Sequence, residues 1–192
     1  LDIILIQLYH DINIIDLIDN FNNNVFNHIG LSVGVKPEDK ATVDTIVSVG
    51  VKILCIDVAH GDSVMCEDMC KYISSKYPHV LLIAGNVATG LGAKRLWLAG
   101  ADIVKVGVGP GSLCTTRIET GNGVPQLSAL MDVAAVQKEL RVKSGNTETF
   151  PFIADGGIRN SGDIVKALAV GADYVMAGGL FAACEAPPGE KY

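Results

Sequence analysis

The chain has 192 residues, a formal charge of −6, and 49% hydrophobic against 19% charged residues, the profile of one α/β domain with a substantial core. The acidic balance argues against a surface built to bind nucleic acid, although a local cationic pocket is compatible with it. Apolar runs such as Ile3-Ile-Leu-Ile6 are far too short to span a bilayer.

Five cysteines (Cys55, Cys66, Cys70, Cys114 and Cys184) are odd in number and irregularly spaced. That fits reduced thiols better than a disulfide framework. No secretory pattern opens the chain, so a cytoplasmic location is expected. The sequence starts at Leu1 rather than methionine and stops at Tyr192 directly after a strand and loop. Both ends read as cut, and a fragment is expected.

In chain order, strand-length apolar runs occur at Ile3–Leu8, Leu31–Val35, Ile53–Val58, Val80–Ala84, Ile103–Val106, Phe152–Ala154 and Tyr174–Ala177. They are continuous rather than alternating, as in parallel strands buried on both faces. Helix-like segments lie between them at Ile12–Phe21, Lys40–Val49, Ser63–Tyr77, Leu91–Ala99, Gln126–Leu140 and Ser161–Val170. The asparagine-rich stretch Asn20–Asn27 reads as a surface loop, and the polar segment Arg141–Thr149 as a further excursion. Strict β-α alternation predicts a parallel sheet.

A faint repeat runs through the chain. Ala99-Gly-Ala-Asp-Ile-Val-Lys-Val-Gly107 resembles Val170-Gly-Ala-Asp-Tyr-Val-Met-Ala-Gly178, with Val49-Gly-Val-Lys-Ile-Leu-Cys-Ile-Asp57 as a looser copy. Repeated βα units favour a (β/α)8 barrel over an open doubly wound sheet. Seven strands are visible where a barrel needs eight, so a single partial barrel domain is expected, its missing strand preceding Leu1.

Barrel active sites lie at the C-terminal strand ends. There the chain carries Asp57-Val-Ala-His-Gly61, Gly85-Asn-Val-Ala-Thr89, the loop Gly107–Arg117, Asp155-Gly-Gly-Ile-Arg159 and Gly178-Gly179. The glycine pairs Gly156-Gly157 and Gly178-Gly179 suit phosphate binding by backbone N–H groups, and Asp155 suits the hydroxyls of a ribose. Glycines after strands also serve plain tight turns. Cys114 follows a glycine-rich loop and precedes Thr115, Thr116 and Arg117, a setting that favours a thiolate nucleophile over a buried structural thiol. Asp57 is a candidate acceptor for ligand hydroxyls and Asn86 a candidate to orient an amide or ring, whereas His60 reads as structural. Cys66 and Cys70 lie one helical turn apart without a second ligand pair. No Walker loop or Gly-x-Gly-x-x-Gly fingerprint is present, so any nicotinamide cofactor binds without a Rossmann fold.

The loop Gly107–Arg117, followed by Gly121-Asn-Gly-Val-Pro-Gln126, resembles the signature loop of the IMP dehydrogenase and GMP reductase family. Asp57-Val-Ala-His-Gly61, Ala84-Gly-Asn-Val-Ala-Thr89 and Ala154-Asp-Gly-Gly-Ile-Arg159 are similar to its other motifs, in the same order. The resemblance implies a (β/α)8 barrel binding a purine mononucleotide and NAD or NADPH, in a homotetramer. Cys114 would attack purine C2, and Thr116 would handle the proton of the leaving ammonia or attacking water. Ser112, Gly157, Gly178 and Gly179 match phosphate contacts, and Asp155 the ribose contact. Asp57, Asn86 and Gly107 match the cofactor side. The carbonyls of Gly109, Gly111 and Cys114 match a potassium site.

Thr120-Gly121, Gln126-Leu-Ser-Ala129 and Gly178-Gly179 look more like GMP reductases, while Val124 and Glu185–Glu190 look more like IMP dehydrogenases. The reductase is the expectation, with the dehydrogenase as alternative. Leu8 stands where relatives often carry a basic residue. Two rival readings are a nucleotide-binding remnant without turnover and a phosphosugar isomerase-like barrel, the latter leaving Cys114 unexplained.

Overall fold

A computed structural model describes Ile4–Ile6 and residues 29–181. Strands and helices alternate as β1 (Ile4–Ile6), β2 (Ile29–Val33), α1 (Asp39–Ser48), β3 (Ile53–Asp57), α2 (Val64–Lys76), β4 (Leu81–Val87), α3 (Gly90–Leu98), β5 (Ile103–Val106), α4 (Thr116–Thr120), α5 (Gln126–Lys143), β6 (Phe152–Asp155), α6 (Ser161–Ala169) and β7 (Tyr174–Met176). Every expected strand is present. The expected helix Ile12–Phe21, the stretch Asn20–Asn27, Leu8, Cys184 and Glu185–Glu190 lie outside the described residues. Two compact units divide within β5, between Val104 and Lys105, with Ala88–Leu91 grouped with the second.

In the first unit, β1 to β4 pair in parallel in chain order, through Ile4↔Ile29, Leu31↔Leu54 and Ile53↔Leu81 on to Asp57↔Gly85. The continuous apolar runs are explained by burial: Ile53, Leu54, Cys55 and Ile56 are all buried, as are Leu82, Ile83 and Ala84. Helix α2 buries Cys66, Met69, Cys70 and Ile73, the i, i+3, i+4, i+7 face of an amphipathic helix. Ser63 caps it, its side-chain oxygen accepting from Cys66 N at 3.3 Å. In the second unit β6 and β7 pair in parallel from Ile153↔Tyr174 to Asp155↔Met176. Helix α5 buries Ala129, Leu130, Val133, Gln137 and Leu140.

The sequence repeat proves to be a helix-to-strand joint. After α3, Gly100 adopts φ +103°, its N–H donates to Trp97 O, and Ala101 N–H donates to Leu96 O at 3.0 Å. After α6, Gly171 adopts φ +116° and Ala172 N–H donates to Ala167 O at 3.1 Å, with Gly171 N–H on Leu168 O. Both are Schellman closures, which need glycine in the left-handed region. The aspartate that follows then grips the start of the preceding strand. Asp102 accepts from Leu82 N at 2.7 Å while its own N–H donates to Leu82 O at 2.9 Å. Asp173 does the same at Phe152, at 3.0 and 3.1 Å. The looser copy keeps the glycine, Gly50 at φ +96°, but carries Lys52 in place of the aspartate, and its carbonyl accepts from Leu81 N at the start of β4.

Strand β2 spans Ile29–Val33, two residues earlier than the expected Leu31–Val35, and three further elements differ from expectation. Strand β4 runs to Val87 rather than ending at Ala84, because β3 offers it partners as far as Asp57, and Asn86 therefore lies inside the strand. Helix α5 continues to Lys143 through part of the expected excursion. Arg141 and Lys143 are good helix formers whose charges favour a helix C-terminus, so polarity there did not mean loop. Thr116 and Arg117 belong to the short helix α4 rather than to an open loop, and Gly121 at φ +68° closes it.

Asp173 holds more than the joint. Its carboxylate also accepts from Gln137 Nε2 at 2.8 Å and Arg141 Nη2 at 3.3 Å, and Gln137 is buried. Asp173→Ala leaves the Phe152 N–H and the Gln137 amide short of an acceptor. The expected destabilisation is about 2 kcal/mol, read as a lower urea midpoint at unchanged slope.

Candidate active site

In the first unit the ends of β3 and β4 are laced together. Val58 N–H donates to Gly85 O, Asn86 N–H to Val58 O and Gly61 N–H to Asn86 O at 2.8 Å. A Cβ at Gly61 would meet the Gly85 and Asn86 backbone at 3.0 Å, so glycine there is a requirement of this close approach. Arg95 on α3 clamps Asp62 in two-pronged fashion, at 2.8 and 2.9 Å, and holds its carboxyl below the ordinary range. Asp57 and Asn86 thus sit, partly exposed, on a stiffened rim. His60 is exposed beside them in sequence.

In the second unit the glycine-rich loop rests on the end of β6. A Cβ at Gly107 would fall 2.0 Å from Asp155 O, and one at Gly156 would fall 2.7 Å from Pro110 and 3.0 Å from Gly111 N. Gly107, Gly156 and Gly157 also have φ of +151°, +90° and +78°. Their glycines are therefore demanded by backbone geometry, whatever ligand they meet. Gly178 and Gly179 are different: neither has positive φ, and nothing described lies within 4 Å of their Cβ positions. The described backbone and its neighbours impose no glycine at these two exposed positions.

Cys114 is exposed, and its Sγ lies 3.2 Å from Thr116 Oγ1. The thiol is held below its ordinary range, first by the Thr116 hydroxyl, then by the Thr116 and Gly109 backbone and the nearby Arg117 charge. The other described cysteines, Cys55, Cys66 and Cys70, are buried. Cys70, hydrogen-bonded to Cys66 and desolvated, is raised instead. Ser112 is exposed two residues before Cys114.

Three residues organise this site; sequence reasoning gave Gln126 and Lys105 no role in it, and Arg117 only that of favouring the thiolate. Arg117 lies in a slot between Gly109 and Gly123, where a Cβ on either would come within 2.6 Å of it. Its Nη2 donates to Val124 O at 2.6 Å and Val108 O at 3.4 Å, so one side chain ties both ends of the Cys114 loop. Gln126, the first residue of α5, donates from Nε2 to Val106 O at 2.8 Å and Asp155 O at 3.2 Å. Two carbonyls fix the orientation of that amide, and its Oε1 is buried without a hydrogen-bond partner among the described residues. Lys105 is 3% exposed, with Nζ 3.0 Å from Asp155 Oδ2. The signal for it was present: one charge inside the buried run Ile103–Val106.

The expected potassium ligands are backbone carbonyls, a neutral donor set that suits a monovalent cation. Gly111 O accepts the Cys114 N–H at 3.1 Å, which occupies one of its two lone pairs. The donor chemistry fits such an ion. Among the described residues no group of three or more His, Cys, Asp or Glu is placed to hold a metal.

Parallel βα units with chemistry-bearing residues at the strand ends define the class, an α/β protein built as part of a (β/α)8 barrel. Residues 19–192 match the model of the IMP dehydrogenase / GMP reductase domain, and the chain belongs to that family. It is 51% identical over 162 residues to inosine-5'-monophosphate dehydrogenase of Aquifex aeolicus and 49% identical over 161 residues to that of Chlorobaculum tepidum. Each alignment covers 84% of this chain and 31% of the relative. A cysteine-to-alanine variant of GMP reductase from Trypanosoma brucei, solved in complex with guanosine 5'-monophosphate, matches with a TM-score of 0.76 and 42% identity, over 84% of this chain and 32% of that one. The chain spans about a third of the length of these relatives.

Because the thiolate is the reactive form, removing the hydroxyl that stabilises it raises the pH at which Cys114 is alkylated. Thr116→Val should shift the iodoacetamide rate profile to higher pH and slow labelling at pH 7 about threefold, while Thr116→Ser retains the wild-type profile. Peptide mapping assigns the label to Cys114.

Proposed function

We propose that this chain is the nucleotide-handling part of an NAD(P)-dependent oxidoreductase that works at C2 of a purine mononucleotide through a covalent bond to Cys114. The observation that carries the reading is the exposed Cys114 thiol, lowered by Thr116, in a loop seated against the Asp155 strand end. The thiolate adds to C2 and makes it tetrahedral, so that hydride (from IMP) or ammonia (from GMP) can leave. In the dehydrogenase direction water then attacks C2, Thr116 takes its proton, and the thiolate departs from xanthosine monophosphate. In the reductase direction Thr116 delivers the proton that departs with ammonia, hydride adds to C2, and the C2–S bond breaks to return the thiolate and release IMP. The nicotinamide cofactor, when bound, accepts or supplies that hydride; Asp57, Asn86 and Gly107 are the residues proposed to hold it.

Ser112, Gly156, Gly157, Gly178 and Gly179 are proposed to anchor the phosphate and Asp155 the ribose, which uses binding far from C2 to place that carbon against sulfur. Potassium, at the carbonyls of Gly109, Gly111 and Cys114, would add a fixed positive charge under the loop. The reading extends to a cytoplasmic homotetramer. Among the described residues no helix is long and apolar enough to cross a membrane.

Residue identity supports one direction: the dehydrogenases named above share more of their residues with this chain than the reductase does. We therefore favour IMP oxidation. GMP reduction is the second reading, favoured by Thr120-Gly121, Gln126–Ala129 and Gly178-Gly179. The full chain is expected to reduce NAD with IMP; NADPH consumption with GMP reverses the direction. Cys114→Ala should lower turnover at least about a thousandfold while nucleotide still binds. Retained turnover removes Cys114 as nucleophile.

A further inference from the structure

We infer that Lys105 is a positioning residue that aims the Asp155 carboxylate at the vicinal hydroxyls of a ribonucleotide, and so sets discrimination between ribose and deoxyribose. The inference rests on the reading of Asp155 as the ribose contact. Lys105 is the one charged residue of β5 and is almost wholly excluded from water, whereas the Asp155 side chain is 21% exposed. The ammonium is therefore unavailable to most ligands, and the carboxylate it holds is not.

The main chain at Asp155 is already fixed without Lys105. Its carbonyl accepts from Gln126, Gly107 packs against it, and its strand pairs with β7 through Asp155↔Met176. A buried ion pair is weak grounds for stability, since well-packed apolar residues commonly replace one at no loss. Here an apolar residue among Ile103, Val104 and Val106 would satisfy the fold. What the lysine adds is a 3.0 Å charge-assisted hydrogen bond that fixes Oδ2 and with it the plane of the carboxylate. A carboxylate so held is aligned before a diol arrives. A nucleotide without hydroxyls gains nothing from this arrangement.

Binding to the full chain is measured by calorimetry with GMP and with 2′,3′-dideoxyguanosine monophosphate. The wild type should prefer GMP, and Asp155→Asn should erase that preference. Lys105→Met should weaken GMP about tenfold, the size of one charge-assisted hydrogen bond, leave the dideoxy nucleotide unchanged and so lose the preference; Lys105→Arg should restore it. If Lys105→Met does not fold, Lys105→Gln provides the same comparison. Equal weakening of both nucleotides, or no weakening of either, with the Asp155→Asn effect intact overturns the role of Lys105 alone. An unchanged preference in Asp155→Asn overturns the ribose contact itself, and the inference with it.

Discussion

Three of the helices that lead into a strand, α1, α3 and α6, do so through a glycine in the left-handed region, at Gly50, Gly100 and Gly171, whereas α2 reaches β4 through residues 77–80 without one. That constraint shapes the three joints. A left-handed residue at the helix end closes the last carbonyls and turns the chain back within two residues, so that the next strand starts beside the preceding one and runs parallel to it. In two of the joints an aspartate adds a side-chain acceptor to the backbone bond, gripping Leu82 and Phe152 at the first turn of each pairing. With strand starts fixed in this way, register follows. The opposite strand ends are left free to carry loops, which is where the chemistry-bearing residues collect.

The same economy operates at the site. Close backbone approach, enforced by Gly107 and Gly156, seats the Cys114 loop on the end of β6. Arg117 ties the loop at both ends and Gln126 ties it to Asp155. Rigid framing matters because a nucleophile gains most from being held where it reacts. The thiol at the exposed crest needs only one hydroxyl, a few backbone donors and a nearby cation to be kept below its ordinary range. Buried in the same chain, Cys70 is pushed the opposite way. Environment, and not residue type, sets which way each thiol is shifted.

Membership of the IMP dehydrogenase / GMP reductase domain family makes sense of this division of labour. Oxidation and reduction at C2 require the same covalent handle, the same phosphate anchor and the same ribose grip. Relatives of both kinds resemble this chain segment. The two activities differ in what attacks or leaves after the thiolate has added.

Much of the fold was legible in the sequence because it rests on local rules. Strand-length apolar runs, glycine at helix ends and the repeated Gly-Ala-Asp predicted every described strand and the parallel alternation. The exposed thiol held low was legible too, because Cys114, Thr116 and the glycines are neighbours in the chain. The short helix α4 and the extent of α5 were not, since short polar segments carry no periodicity strong enough to distinguish helix from loop. Nor were the partners of Lys105, Arg117 and Gln126, because Asp155, Val108, Val124 and Val106 are brought to them only by folding. The sequence by itself determined where the exposed cysteine and its hydroxyl neighbour lie in the chain and where strands begin. Tertiary structure decided how those residues are aimed, because a 3.0 Å bond between residues fifty positions apart is made by the packing of strands and leaves no local pattern.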